Sequence, residues 1–170
     1  MDVSELRARQ APLKEKYQAD PQAAVTPLSA TGDFSSEGIT ADVQTWAGPV
    51  RAGLHTATGG DGADACSGDM LVQAVLACAG VTVRSVATAM RIDVREARLR
   101  ADAMFDARGT LGLSRDVPVG IQGLTVTVEL DTTADDAALA KLAQLAERYC
   151  VVGQSLAQPP SFVVRRIVRT

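Results

Sequence analysis

The sequence has one histidine, three cysteines and few aromatic residues, 4% of the chain. A lone histidine among scattered cysteines gives no zinc-ligand spacing, so no metal site is expected. Three cysteines, Cys66, Cys78 and Cys150, are an odd number and far too sparse for a secreted disulfide scaffold. The expectation is free thiols in a reducing compartment. No lysine or arginine block occurs, and the formal net charge is −3. That argues against nucleic acid as a partner, because phosphate binding needs clustered cations. Trp46 and the few other aromatics read as core residues rather than a base-stacking platform.

Long apolar runs are also missing. The longest charge-free apolar run lies between Asp69 and Arg84, short of what a bilayer requires, and MDVSELRARQ lacks the apolar centre of a signal peptide. The expectation is a cytoplasmic protein with no membrane partner. There is no Walker A loop, and the glycines of GGDGADACSG do not follow a strand as a dinucleotide fingerprint would. No bound cofactor is expected.

What is present fits one domain. A chain of 170 residues can bury a substantial core unaided. Residues 1–24 read as a helical arm, with Ser4 as N-cap, an interruption at Pro12 and a stop at Asp20-Pro21; residues 25–170 form the core. From Val25 to Thr58 the alternation in ITADVQTW, with Gly32, Gly38 and Gly48-Pro49 as turns, predicts an antiparallel meander. GGDGADACSGD, residues 59–69, is a loop.

DMLVQAVLACAGVTVRSVATAM, residues 69–90, follows with apolar residues round most of a helical wheel, which predicts a helix enclosed by other elements. EARLRADAMFD and LTVTVELD alternate as half-buried strands, the second with Leu124, Val126, Val128 and Leu130 inward. RGTLGLSRDVPVGIQG connects them. TTADDAALAKLAQLAERY predicts a helix capped by Thr133, with Leu139, Leu142, Leu145, Ala146 and Tyr149 as its apolar stripe and Cys150 at its end. SFVVRRIVRT reads as a final strand.

Taken alone, Cys78 in the middle of LACAG is as well explained by packing as by chemistry, since a free cysteine is a small hydrophobe. Asp69 is equally suited to a helix N-terminus and to orienting a reactive group. His55, on a predicted strand, reads more simply as structural. Cys66 reads as an incidental thiol, with an alternative as a second resolving thiol.

The Gly-rich loop, the helix LVQAVLACAG, the connection RGTLGL…VPVGI before LTVTVEL, and LAERYCVVGQSL together resemble the OsmC/Ohr family of osmotically inducible and organic-hydroperoxide-resistance proteins. The resemblance runs from about Pro27 to the C-terminus. It implies an α+β fold, with antiparallel curved sheets around long central helices in an intertwined homodimer. It also implies reduction of organic hydroperoxides, with Cys78 as peroxidatic thiol, Cys150 as resolving thiol and an external dithiol as reductant. Active members of that family favour the thiolate with an arginine paired to a glutamate. Here the glutamate's place falls on Gly68, beside Asp69; Arg51 and His55 are the nearest upstream candidates for the cationic role; and Val151 follows Cys150 where proline is common. A second function stays open, a dimer that has lost the activating pair and binds a small apolar molecule.

Overall fold

The computed structural model describes residues 1–168. The chain forms two compact units that interleave along the sequence. One comprises Met1–Leu28, Leu76–Arg100 and the chain from Thr125 on; the other comprises Ser29–Val75 and Ala101–Leu124.

The second unit holds the predicted meander. Strands β1 (Thr31–Asp33), β2 (Thr40–Thr45) and β3 (Gly48–Gly53) pair antiparallel, Asp33 opposite Asp42 and Val43 opposite Val50. The β2–β3 turn is Trp46-Ala47, and Gly48-Pro49 opens β3 rather than forming the turn. Trp46 therefore sits at a hairpin tip and is 100% exposed, against the expectation of a core aromatic. A short strand, β4 (Ala65–Cys66), adds to β3 in parallel, so part of the expected loop is sheet. The intervening loop packs tightly on itself, since a Cβ at Gly60 would lie 1.8 Å from the Leu54 carbonyl oxygen. Helix α3 (Ala107–Thr110) lies within the predicted connection and is capped by Asp106, whose carboxylate accepts from the Arg108 N–H.

The first unit begins with α1 (Val3–Ala19). Its N-cap is Asp2, not Ser4. The Asp2 carboxylate accepts from the Glu5 N–H and Glu5 accepts in return from the Asp2 N–H, both at 2.9 Å, completing a capping box that Ser4 joins only through its hydroxyl. The helix also runs through Pro12 instead of breaking there. It buries no residue, so the one backbone bond that proline forgoes is lost where water can replace it.

Sheet order in the remainder is β5 (Glu96–Met104), β6 (Gln122–Asp131), β7 (Ser161–Arg166). β6 and β7 pair in parallel, Val126 opposite Phe162 and Val128 opposite Val164, a departure from all-antiparallel sheets. Parallel pairing needs a long crossover between the two strands, and the helix between them supplies it. That helix is α4 (Asp136–Tyr149), packed on β7. Its N-cap is Asp135, which accepts from the Ala138 N–H at 2.7 Å and displaces the expected Thr133. Leu139, Leu142 and Ala146 of α4 are buried with Val126, Val128 and Leu130 of β6, as predicted; Tyr149 is 55% exposed and leaves the stripe. Each fully buried leucine or valine here contributes about 1.5–3 kcal/mol.

Helix α2 (Ser67–Ala89) buries Val75, Ala79, Val83 and Ala87, one residue per turn. Its opposite face is open, with Ala77 exposed and Val81 73% exposed, so the expected enclosure holds on one side only. By length and composition alone α2 could cross a bilayer, contrary to the sequence expectation, but its buried stripe faces protein. The helix ends at Arg91 with φ 59, its N–H bonded to Thr88 and that of Ile92 to Ala87, a left-handed cap closing the last turn.

Candidate active site

Three short stretches of the first unit bring together two thiols. Cys78 lies near the middle of α2, half-buried. Cys150 ends α4 and opens the short helix α5 (Val151–Gln154), leaving its side chain fully buried. Both are free, and the Cys150 thiol is hydrogen-bonded to the Cys78 sulfur. The helix-to-helix break at Cys150, with φ −74 and ψ 98, turns the first N–H groups of α5 toward the sulfurs.

The two thiols are biased in opposite directions. Burial pushes the Cys78 thiol up, but it is outweighed by hydrogen bonds from the Val152 N–H, the Cys150 thiol, the Thr82 hydroxyl and the Val151 N–H, so Cys78 lies below its ordinary value. Burial pushes the Cys150 thiol up as well, and although the Gly153 N–H opposes this, the bond to Cys78 and the like charge of its thiolate keep Cys150 above its ordinary value. Both biases point the same way: when one thiol of the pair ionises, Cys78 is the favoured one. This sulfur-bound donor set is electrically neutral.

The sequence reading missed these donors. Thr82 stands one helical turn past Cys78, a spacing legible in CAGVT once the helix is accepted. Val151 and Val152 act through their backbones, which leaves no trace in residue type.

The remaining predicted residues lie in the second unit. Arg51, on β3, is held by Asp64, Nε to Oδ1 at 3.2 Å, and also donates to the Glu37 carbonyl at 3.1 Å. An arginine–carboxylate pair is thus present, but with Asp64 rather than Asp69. His55 caps the turn Thr56–Thr58: its Nδ1 accepts from the Ala57 N–H at 3.0 Å, and its ring meets that of Phe105 edge-on at 5.1 Å. A neutral His55 therefore carries its proton on Nε2. Asp69 is exposed in the first turn of α2, where the helix dipole favours a carboxylate. Cys66 is half-buried. His55, Cys66 and Asp69 line a cavity of about 350 Å³ whose other walls include Val72, Met104, Phe105 and Ile121. Among the described residues no cluster of three or more His, Cys, Asp or Glu side chains is placed to hold a metal.

A parallel β6–α4–β7 unit and a half-open central helix, with a hydrogen-bonded thiol pair where they meet, define an α+β protein of the thiol-bearing kind. A family model described as OsmC-like protein matches residues 60–165, and the chain belongs to that family. Solved structures agree on the fold. An OsmC-like protein from Mycoplasma pneumoniae superposes with a TM-score of 0.65 at 11% identity, covering 85% of this chain and 99% of that one. An organic hydroperoxide resistance protein OsmC from Legionella pneumophila gives 0.58 at 16% identity, covering 85% and 100%. An organic hydroperoxide resistance protein from Elizabethkingia anophelis gives 0.61 at 13% identity, covering 86% and 99%. No curated protein sequence matches the chain.

Proposed function

We propose that this protein reduces organic hydroperoxides, with Cys78 as the peroxidatic thiol and Cys150 as the resolving thiol. The observation that carries the reading is the hydrogen bond from the Cys150 thiol to the Cys78 sulfur, with Cys78 biased toward the thiolate and Cys150 away from it. The Cys78 thiolate attacks the terminal peroxide oxygen; the O–O bond breaks, Cys78 becomes a sulfenic acid, and the alkoxide takes a proton and leaves as alcohol. Cys150 then attacks the sulfenic sulfur, forming the Cys78–Cys150 disulfide, while hydroxide leaves and is protonated to water. An external dithiol reduces that disulfide by exchange and is itself oxidised to a disulfide. Membership of the OsmC-like family and the names of the Legionella and Elizabethkingia proteins support the substrate class. The working form is a cytoplasmic homodimer in which a second copy covers the apolar face of α2 around Val81.

The test is consumption of cumene hydroperoxide in the presence of a dithiol. Cys78→Ser is expected to abolish turnover, and Cys150→Ser to give a first reaction followed by inactivation as Cys78 over-oxidises. Turnover at the background rate of the dithiol alone in the wild-type protein would overturn the proposal. The cavity in the second unit favours one other reading, a binding module for a small apolar molecule, because its volume and its walls of Val72, Met104, Phe105 and Ile121 suit such a ligand. Under that reading the cysteines only pack, and alkylating both leaves ligand binding intact.

A further inference from the structure

Gly153 is buried within α5 and carries no positive φ, so its backbone conformation is open to any residue. Alanine is the better helix former at such a position. What forbids a side chain is contact: a Cβ would stand 3.1 Å from both Cδ and Cγ of Pro160 and 3.2 Å from the Cys150 sulfur. Pro160 and Cys150 are both fully buried, so neither can swing out into solvent. The Gly153 N–H also points at the Cys150 sulfur.

We infer that Gly153 is a positioning residue for resolution: its bare Cα, backed by the Pro160 ring, leaves the space in which the Cys150 sulfur lies against Cys78. This rests on the reading of the two cysteines as a redox pair. A methyl group at position 153 pushes on the sulfur from one side and on the proline ring from the other. The first displacement distorts the geometry that the Cys78–Cys150 disulfide needs; the second only strains packing. Removing the Pro160 ring atoms relieves the second and leaves the first.

The experiment compares the wild-type protein with Gly153→Ala, Pro160→Ala and the double variant. The first readout is the equilibrium between dithiol and Cys78–Cys150 disulfide in mixtures of reduced and oxidised dithiothreitol, resolved by peptide mass spectrometry. The second is the thermal midpoint. The disulfide equilibrium is expected to fall about tenfold in Gly153→Ala, a shift of about 30 mV, and to stay there in the double variant while its thermal midpoint returns to that of Pro160→Ala. If Gly153→Ala does not fold, the double variant carries the comparison against Pro160→Ala. A disulfide equilibrium that equals the wild-type value in the double variant would overturn the inference and reduce Gly153 to a packing partner of Pro160. The titration needs no peroxide, so absence of peroxide turnover in the wild-type protein counts against the proposed function and leaves this outcome readable.

Discussion

Cys78 and Cys66 belong to the same helix-and-loop stretch of sequence, yet their surroundings differ in kind. Cys78 faces the α4–α5 junction, where two N–H groups, a hydroxyl and a second thiol converge on its sulfur. Cys66 lines a cavity in a unit rich in charge, with Arg51, Asp64, His55 and Asp69 all in that unit. The arginine among them is engaged elsewhere: Arg51 is held by Asp64 and the Glu37 carbonyl, and the His55 Nδ1 lone pair is taken by the Ala57 N–H. Charged residues near a thiol in sequence are therefore a poor guide to activation. At Cys78 the groups aimed at the sulfur are neutral donors, and a thiolate in a partly desolvated site is stabilised by each hydrogen bond it accepts.

The largest expected effect is at Cys78 itself. Cys78→Ser should lower hydroperoxide consumption by about a thousandfold or more, the scale on which loss of a nucleophile is felt; Cys66→Ser is the matched control. Next comes the pH profile. Thiol alkylation follows the thiolate, so its rate rises with pH and levels off above the thiol's pKa. Since Cys78 is lowered, alkylation at Cys78 should level off at lower pH than an ordinary thiol. Iodoacetamide trapping with peptide-level mass spectrometry reads the Cys78 curve, and the same readout in denaturant supplies the ordinary thiol. A Cys78 curve that coincides with the denatured one would remove the basis for its peroxidatic role.

A smaller effect isolates one donor. Thr82→Val keeps the shape and deletes the hydroxyl, and a hydrogen bond to a charged group is worth about 1.5 kcal/mol. Alkylation of Cys78 on the rising limb of the profile should slow roughly tenfold, its plateau should be unchanged, and Thr82→Ser should restore the wild-type curve. An unchanged rising limb would mean that the backbone N–H groups suffice without the hydroxyl.

Much of this architecture is legible in the residues. The alternation of Leu124, Val126, Val128 and Leu130 marks β6, and the spacing of Leu139, Leu142 and Ala146 marks the buried face of α4. Caps were less legible, because DVSE offers Asp2 and Ser4 and TTADD offers Thr133 and Asp135; the choice falls to whichever carboxylate reaches the free N–H groups. The parallel β6–β7 pair is a consequence of connectivity, visible only when the intervening helix is laid on the sheet. Trp46 misled because hydrophobicity alone assigns it to a core, whereas its place between two paired strands puts it at a tip. At the site, Cys78 and Cys150 could be named from resemblance and position, but the donors that separate them are mostly backbone.

The smallest expected effect concerns Arg51, and it bears most directly on how far neutral donors suffice. Its guanidinium is 48% exposed and its partner Asp64 is 20% exposed, so the pair is largely screened and contributes no more than about 1 kcal/mol to stability. Arg51→Ala should therefore leave the thermal midpoint nearly unchanged. If the groups on α2 and α5 set the Cys78 thiolate, the alkylation profile of Cys78 should also stay within about twofold of wild type, less than the loss of a single hydrogen bond produces. A rising limb moved to higher pH in Arg51→Ala, with Thr82→Val silent, would reverse the assignment. The cation would then be the activating group, and the hydrogen bonds seen at the sulfur would serve packing.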